Sequence, residues 1–545
     1  MIYKKLRKNA CDEKRAKSGK MKFLVPRPGW LYLLGAATFA LIGISCAPRD
    51  GGPPSESYES APRPPRIDPD YGGTVIPPNI APLNFLVEEP GVEYRIEISS
   101  ARGESMEISS ARAQIEIPPA PWKELLAANR GEEIRFDIYV RDEKGRWQRF
   151  ETLISKVAVD EIDPYLAYRL LKPLYNKYVN MGIYQRHLQS YEEAVVIHNK
   201  TADHACINCH TFPDNRTDDM LLHIRGLHGQ RMLMYRQGKI SNIDTRTAFN
   251  PAPASFTTWH PSRQAVVFTT PEASIFFHTV GETREVFYAA SDLALYRIED
   301  NILTTTADIS RPDYLDVFPT WSPDGAHLYF CSAPKMPPER FRDVQCDLVR
   351  ISYDAESDTW GALETVLAAK DTGLSISAPR ISPDGRFLVF CMSEYGIFPV
   401  FYASSDLYLM DLHRGTYERL DINSDQSESW HSWSSNSRWM VFSSKRRDGL
   451  FAKPYFTYID AEGKAHKPFV LPQKDPQFYH SFTKTYNVPE LIREPVQATS
   501  QDLARAIYAP REVLQAQLDP RVQVRQRGQR HRNAAMRGGK CGLSV

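Results

Sequence analysis

Four stretches in the second half of the chain repeat one order of apolar and polar positions: an apolar strand, a polar turn, then a nearly unbroken apolar strand. They run from Thr257-Thr258-Trp259-His260-Pro261-Ser262-Arg263 to Phe268 and from Pro319-Thr320-Trp321-Ser322-Pro323-Asp324-Gly325 to Phe330. The other two run from Pro379-Arg380-Ile381-Ser382-Pro383-Asp384-Gly385 to Phe390 and from His431-Ser432-Trp433-Ser434-Ser435-Asn436-Ser437 to Phe442. Pro-Asp-Gly supplies a fixed φ, an Asx-type hydrogen bond and a positive-φ residue, the chemistry of a tight turn between strands. The runs after the turns, such as Leu328-Tyr329-Phe330 and Phe387-Leu388-Val389-Phe390, have no polar face, so these strands are expected to be buried on both sides.

A further strand follows in three copies, at Ser291-Asp292-Leu293, Cys346-Asp347-Leu348 and Ser405-Asp406-Leu407, and has drifted at Tyr455-Phe456-Thr457. Trp259, Trp321, Ile381 and Trp433 thus recur at 62, 60 and 52 residues, room for about four strands per unit. One four-stranded sheet cannot bury both faces, whereas a closed ring of them can, and this period predicts a β-propeller of about six four-stranded blades. The Ser-Pro-Asp-Gly turns at Ser322 and Ser382 resemble those of TolB-like propellers, the family with Pro-Asp-centred repeats in bacterial envelope proteins. That resemblance covers about 222–495 and implies a protein of the cell envelope that docks protein partners.

Upstream, alternating runs (Tyr94-Arg95-Ile96-Glu97-Ile98, Phe136-Asp137-Ile138-Tyr139-Val140) predict a small antiparallel sandwich of immunoglobulin-like type over 72–160. Asp163-Pro164 reads as a helix start, and 161–221 is expected to be a short helical connector. The fold class is therefore mainly β, with sandwich, helical connector and propeller in that order. Residues 496–545 carry a one-signed basic run from Arg521 to Lys540 and are expected to be a disordered extension rather than a nucleic-acid site.

The connector contains Cys206-Ile207-Asn208-Cys209-His210. Cys-x-x-Cys-His is the attachment signature of a c-type haem, in which two thiols bind the vinyl groups and the imidazole becomes an axial iron ligand. With 8 Cys and 14 His in 545 residues, chance supplies about 0.003 copies. A thioredoxin-like pair, half a zinc site and a structural disulfide are the other readings; no βαβ context or second ligand pair accompanies the motif. One covalent haem c at Cys206, Cys209 and His210 is expected. For the distal iron position His223 is the candidate, ahead of Met220, His228 and His198.

Haem c is attached outside the bacterial cytoplasm, so an export signal is required. Residues 1–46 supply one: Lys20, Lys22 and Arg27 precede an apolar run from Trp30 to Ile44, closed by Ser45-Cys46. Ile42-Gly43-Ile44-Ser45-Cys46 resembles a lipoprotein lipobox, which implies lipidation of Cys46; an ordinary signal peptide and an uncleaved anchor are the alternatives. The Pro- and Gly-rich stretch 47–71 reads as a tether to a membrane.

Cys331 and Cys346 flank one hairpin loop, where a disulfide and two buried thiols are both open. A net charge of +1 provides no field to steer nucleic acid. Three functions follow: an envelope-anchored monohaem cytochrome passing electrons to or from an unidentified envelope protein, a TolB-like binding scaffold with a structural or sensory haem, and a haem-dependent oxidoreductase. No Ser-His-Asp, P-loop, paired-carboxylate or His-Glu-x-x-His pattern favours the last.

Overall fold

A computed structural model of the chain describes residues 58–172, 180–226, 229–276, 285–508 and 512–523. The expected leader, Cys46, residues 47–57 of the tether and the basic run beyond 523 lie outside the described residues. The rest of the expected tether, 58–71, is corrected: it carries the strands Tyr58–Ser60 and Ile67–Asp68 and buries Ala61 and Tyr71 in the core of the N-terminal module, because these apolar side chains find partners there.

The aligned stretches form hairpins with the register the repeat demands: Trp259 pairs with Val266, Trp321 with Leu328, Ile381 with Leu388 and Trp433 with Met440. Each turn is closed by its own side chains. Asp324 Oδ1 accepts from Ser322 Oγ and from the Ala326 amide, and Asp384 Oδ1 accepts from Ser382 Oγ and the Arg386 amide. Gly325 and Gly385 take φ of 74° and 75°, so the glycines of Pro-Asp-Gly sit where L side chains are strained.

From each hairpin the chain continues outward. Ser375–Ile381, Phe387–Ser393, Asp406–Asp411 and Thr416–Arg419 make one four-stranded antiparallel sheet, and Glu428–Trp433, Trp439–Ser444, Lys453–Tyr458 and Phe469–Val470 make the next. The first strands of successive groups are Cys206–Thr211, Ser255–Trp259, Tyr314–Trp321, Ser375–Ile381, Glu428–Trp433 and Thr485–Ile492. Each packs against the next, and Thr485–Ile492 also touches Cys206–Thr211, which closes the ring. The molecule is a β-propeller, and its strands are buried because each sheet is covered by both neighbours.

Closure draws on distant parts of the chain. Thr485–Ile492 is the inner strand of a sheet whose other members are Tyr165–Leu171, Met181–His187 and Glu193–His198. The expected helical connector is thus corrected: where described, 161–221 is strands joined by loops and short 3-10 turns, and 173–179 lies outside the described residues. Asp163 caps no helix; its carboxylate accepts from the Ser435 amide at 2.7 Å and the Ser435 hydroxyl at 2.6 Å. Tyr165–Leu171 is buried on both faces and finds antiparallel partners on both edges, which outweighs a local helix-start signal. The ring therefore begins near 165 rather than 222.

The start of the expected disordered extension is also ordered. Ser500–Tyr508 is a helix whose Leu503 and Ile507 are buried, and Leu514–Gln515 and Gln517–Leu518 add to the outer edges of two sheets. Thr499 Oγ1 accepts from the Asp502 amide, an N-cap that terminates the preceding loop.

The N-terminal module has a seven-stranded, mainly antiparallel sheet centred on Glu133–Arg141 and a three-stranded sheet of Ile67–Asp68, Phe85–Val87 and Gln114–Ile115. A helix, Pro119–Ala128, seals it with the buried Trp122. The module shares one apolar core with the propeller and is tied to it by Asp68, which accepts both Arg447 Nη atoms at 2.7 and 2.6 Å.

Candidate functional site

The inner strands are not regular. In each of Ser255–Trp259, Tyr314–Trp321, Ser375–Ile381 and Glu428–Trp433 the register slips three residues before the Trp or Ile of the repeat, and Phe256, Phe318, Ala378 and Trp430 take φ between 45° and 53°. Val488 does the same in Thr485–Ile492, at φ 47°. Non-glycine residues in this region cost about 1 to 2 kcal/mol each and persist where the surroundings over-determine them. These five line one cavity on the propeller axis that is partly open to solvent.

The residues after the bulges complete the wall. Thr257, Pro319, Pro379, His431 and Pro489 share one repeat position, and Arg380 and Glu490 share the next. The aromatic side is continuous: Phe256 stacks on Trp430 at 5.8 Å between centroids, and Phe318 meets Phe256 edge-on at 4.6 Å. Phe398 closes against all three.

His210 lies in this cavity. Cys206–Thr211 is the inner strand of its sheet, its register slips between Asn208 and Thr211 like the others, and His210 occupies the repeat position of His431. The imidazole is 2% exposed and neither nitrogen has a hydrogen-bond partner; the Ala167 main chain is beside the ring but outside hydrogen-bond geometry. Burial, helped by Arg169, lowers its pKa to about 3, so the ring is neutral, the form that ligates metals. His431 is likewise lowered to about 3 by burial, but its Nε2 bonds the Val389 carbonyl at 2.8 Å.

Glu490 accepts from the Phe212 amide through Oε2, leaves Oε1 buried without a partner, and is raised to about 7 by burial. Arg380 Nε and Nη atoms make no hydrogen bond or ion pair among the described residues. Trp430 Nε1 is buried and unpartnered as well. Buried polar groups are normally satisfied, so several orphans around one cavity make it the candidate site.

The haem expectation meets this geometry only in part. His210 has the burial, neutrality and free nitrogens of an axial ligand. Cys206 instead packs in an apolar cluster with Met181, Ala205 and Ile207, and does not line the cavity. Cys206 thus sits apart from the cavity that holds His210, and the Cys209 side chain lies outside the described residues. His223 is on the second strand of the same sheet, outside the cavity, with Nε2 bonded to Thr257 Oγ1 at 2.8 Å, so it does not face His210. Met220 is core, His198 bonds Asn180, and His228 lies outside the described residues. Cys331 and Cys346 are both free thiols buried in one apolar cluster, with no disulfide between them. Among the described residues no group of three or more His, Cys, Asp or Glu could hold a metal ion.

Arg380, Glu490, Trp430 and the bulge residues were not singled out by sequence reasoning. The signal was present as a rule of the repeat: cavity positions precede the aligned Trp or Ile by one to three residues.

No protein-family model matches the chain, and no curated protein matches it. Solved structures similar to it include the GH74 enzyme of Niastella koreensis, at 11% identity over 54% of this chain and 43% of that one, TM-score 0.36. The nidogen/laminin complex matches at 8% identity over 61% and 99%, TM-score 0.36, and the Dos1 propeller at 11% over 50% and 66%, TM-score 0.31. The chain spans less than half the length of the GH74 enzyme.

Proposed function

We propose that the protein is a binding scaffold of the bacterial envelope: a six-bladed, TolB-like propeller carrying an immunoglobulin-like module, held to a membrane through lipidated Cys46, with the axial cavity as its ligand site. One observation carries the reading. His210, Glu490 and Trp430 all bury polar atoms without partners around the same aromatic-walled space. Leaving such groups unmade costs about 1 to 3 kcal/mol each, which a ligand bonded to them would recover. An envelope protein partner and no nucleic acid complete the proposal.

The test is a thermal-shift screen of small metabolites on the mature protein and on an Arg380→Ala/Glu490→Ala double variant. Compounds that stabilise the wild type by several degrees and leave the variant unmoved support the cavity as the site. If no compound separates the two proteins, the cavity is not a binding site.

A second reading, the monohaem electron carrier, is favoured by the neutral, unpartnered imidazole at the fifth position of Cys-x-x-Cys-His. It requires the Cys206 strand to leave its apolar packing. A covalent haem band on a denaturing gel of protein from a host with the c-haem maturation machinery, lost in Cys206→Ala/Cys209→Ala, would establish it. Absence of that band removes it.

A further inference from the structure

We propose that the axial cavity takes a free α-amino acid with an apolar side chain, its carboxylate on Arg380, its ammonium on Glu490 and its side chain against Phe256, Phe318 and Trp430. This deepens the scaffold reading and rests on it.

The repeat singles out the two charged residues. On the other inner strands their position is held by Thr211, Thr258, Thr320 and Ser432, each paired with the second strand of its sheet in the same way or standing next to the same bulge. A short hydroxyl residue therefore satisfies the fold at this position, and nothing in the packing of the sheet calls for a guanidinium or a carboxyl. Arg380 and Glu490 are the charged exceptions, and both line the cavity.

Both line the cavity, and they are not bonded to each other. The Arg380 charge acts on the Glu490 carboxyl, yet no ion pair joins them, and the Ser432 strand lies between theirs in the ring. Glu490 keeps Oε1 empty at 9% exposure. A buried acid and a half-buried base that line one cavity without an ion pair are each matched by the opposite end of a zwitterion. A ligand with one charge would satisfy one of them and leave the other as it is.

Between the two ends, the wall decides the rest. The aromatic floor presents ring faces and edges and one unpartnered donor, Trp430 Nε1, which favours an apolar side chain. An ammonium near these faces gains a further cation–π attraction.

The experiment is calorimetric titration of the mature full chain with L-phenylalanine, L-phenylalaninamide and 3-phenylpropionate, the last two lacking the carboxylate and the amine. L-Phenylalanine is expected to bind at least tenfold more tightly than either. Arg380→Gln should erase its advantage over the amide, and Glu490→Gln its advantage over phenylpropionate. Arg380→Lys, which keeps the charge, should retain most of the first. Equal binding of the three probes, or discrimination unchanged in both variants, overturns the proposal. Should the metabolite screen yield cavity ligands that lack a paired amine and acid, the amino-acid assignment fails and the scaffold reading stands; should it yield none, both fail.

Discussion

Two buried carboxylates show how one residue's surroundings decide its charge. Glu428 has no exposed surface and receives Ser424, Ser444 and Arg446, yet burial outweighs them and its pKa is raised. Glu89 is 3% exposed, but the Arg63 guanidinium donates to both of its oxygens at 2.7 Å and the Arg66 amide adds a third bond. There the hydrogen bonds from Arg63 win over burial, and the pKa falls to about 2. A carboxyl depressed in the folded state stabilises above its unfolded pKa, and that contribution is lost as pH falls from about 4.5 toward about 2. Because Arg63 and Arg66 are largely solvated, about 1 to 2 kcal/mol is expected rather than the full linkage value. Urea unfolding at pH 5 and pH 3 should therefore show a loss of this size in the wild type that Glu89→Gln lacks. An identical acid response in the two proteins would show that the fork contributes nothing.

At the scale of elements, the repeating hairpins were legible because their signals are local. Ser-Pro-Asp-Gly closes its own turn, and the apolar run after it can be read without knowing its neighbours. The Tyr165–Leu171 strand was not legible, since Asp163-Pro164 offers a helix start and the competing strand partner lies more than 300 residues away. The candidate site was half legible. His210 announced itself through its motif, although the chemistry expected of that motif needs Cys206 beside it, and the strand turns the two apart. The bulges escaped because the positive-φ position is filled by Phe256, Phe318, Ala378, Trp430 and Val488 rather than by glycine. Their shared conformation is a property of the inner strand's path, and the side chains are there in spite of it. Ala378 tests this, since a methyl group is all it presents to the cavity. Ala378→Gly should relieve the positive-φ strain and raise stability by about 0.5 to 1 kcal/mol by denaturant titration. A loss of stability would mean that the methyl group's packing outweighs the strain.

At the scale of the molecule, the ring is held shut by one strand. Thr485–Ile492 pairs with Tyr165–Leu171 along its length, packs on Glu428–Trp433 on one side and touches Cys206–Thr211 on the other. It thereby joins a sheet made of residues 165–198 to the end of a repeat array that was already complete without it. Propeller sheets are stable because neighbours cover both faces, so opening one junction uncovers apolar strands at two sheets rather than one. The same strand supplies Val488, Pro489 and Glu490 to the axial cavity, so the cavity wall depends on closure. Ending the chain at Lys484 removes it while leaving every Pro-Asp turn intact. The truncated protein is expected to keep β-rich far-ultraviolet circular dichroism, lose its sharp thermal transition and bind hydrophobic dye, as in a chain with paired hairpins but no closed packing. A cooperative transition within a few degrees of the full chain would mean that neighbouring sheets alone hold the ring, and that closure by the C-terminal strand is a consequence of the fold rather than one of its supports.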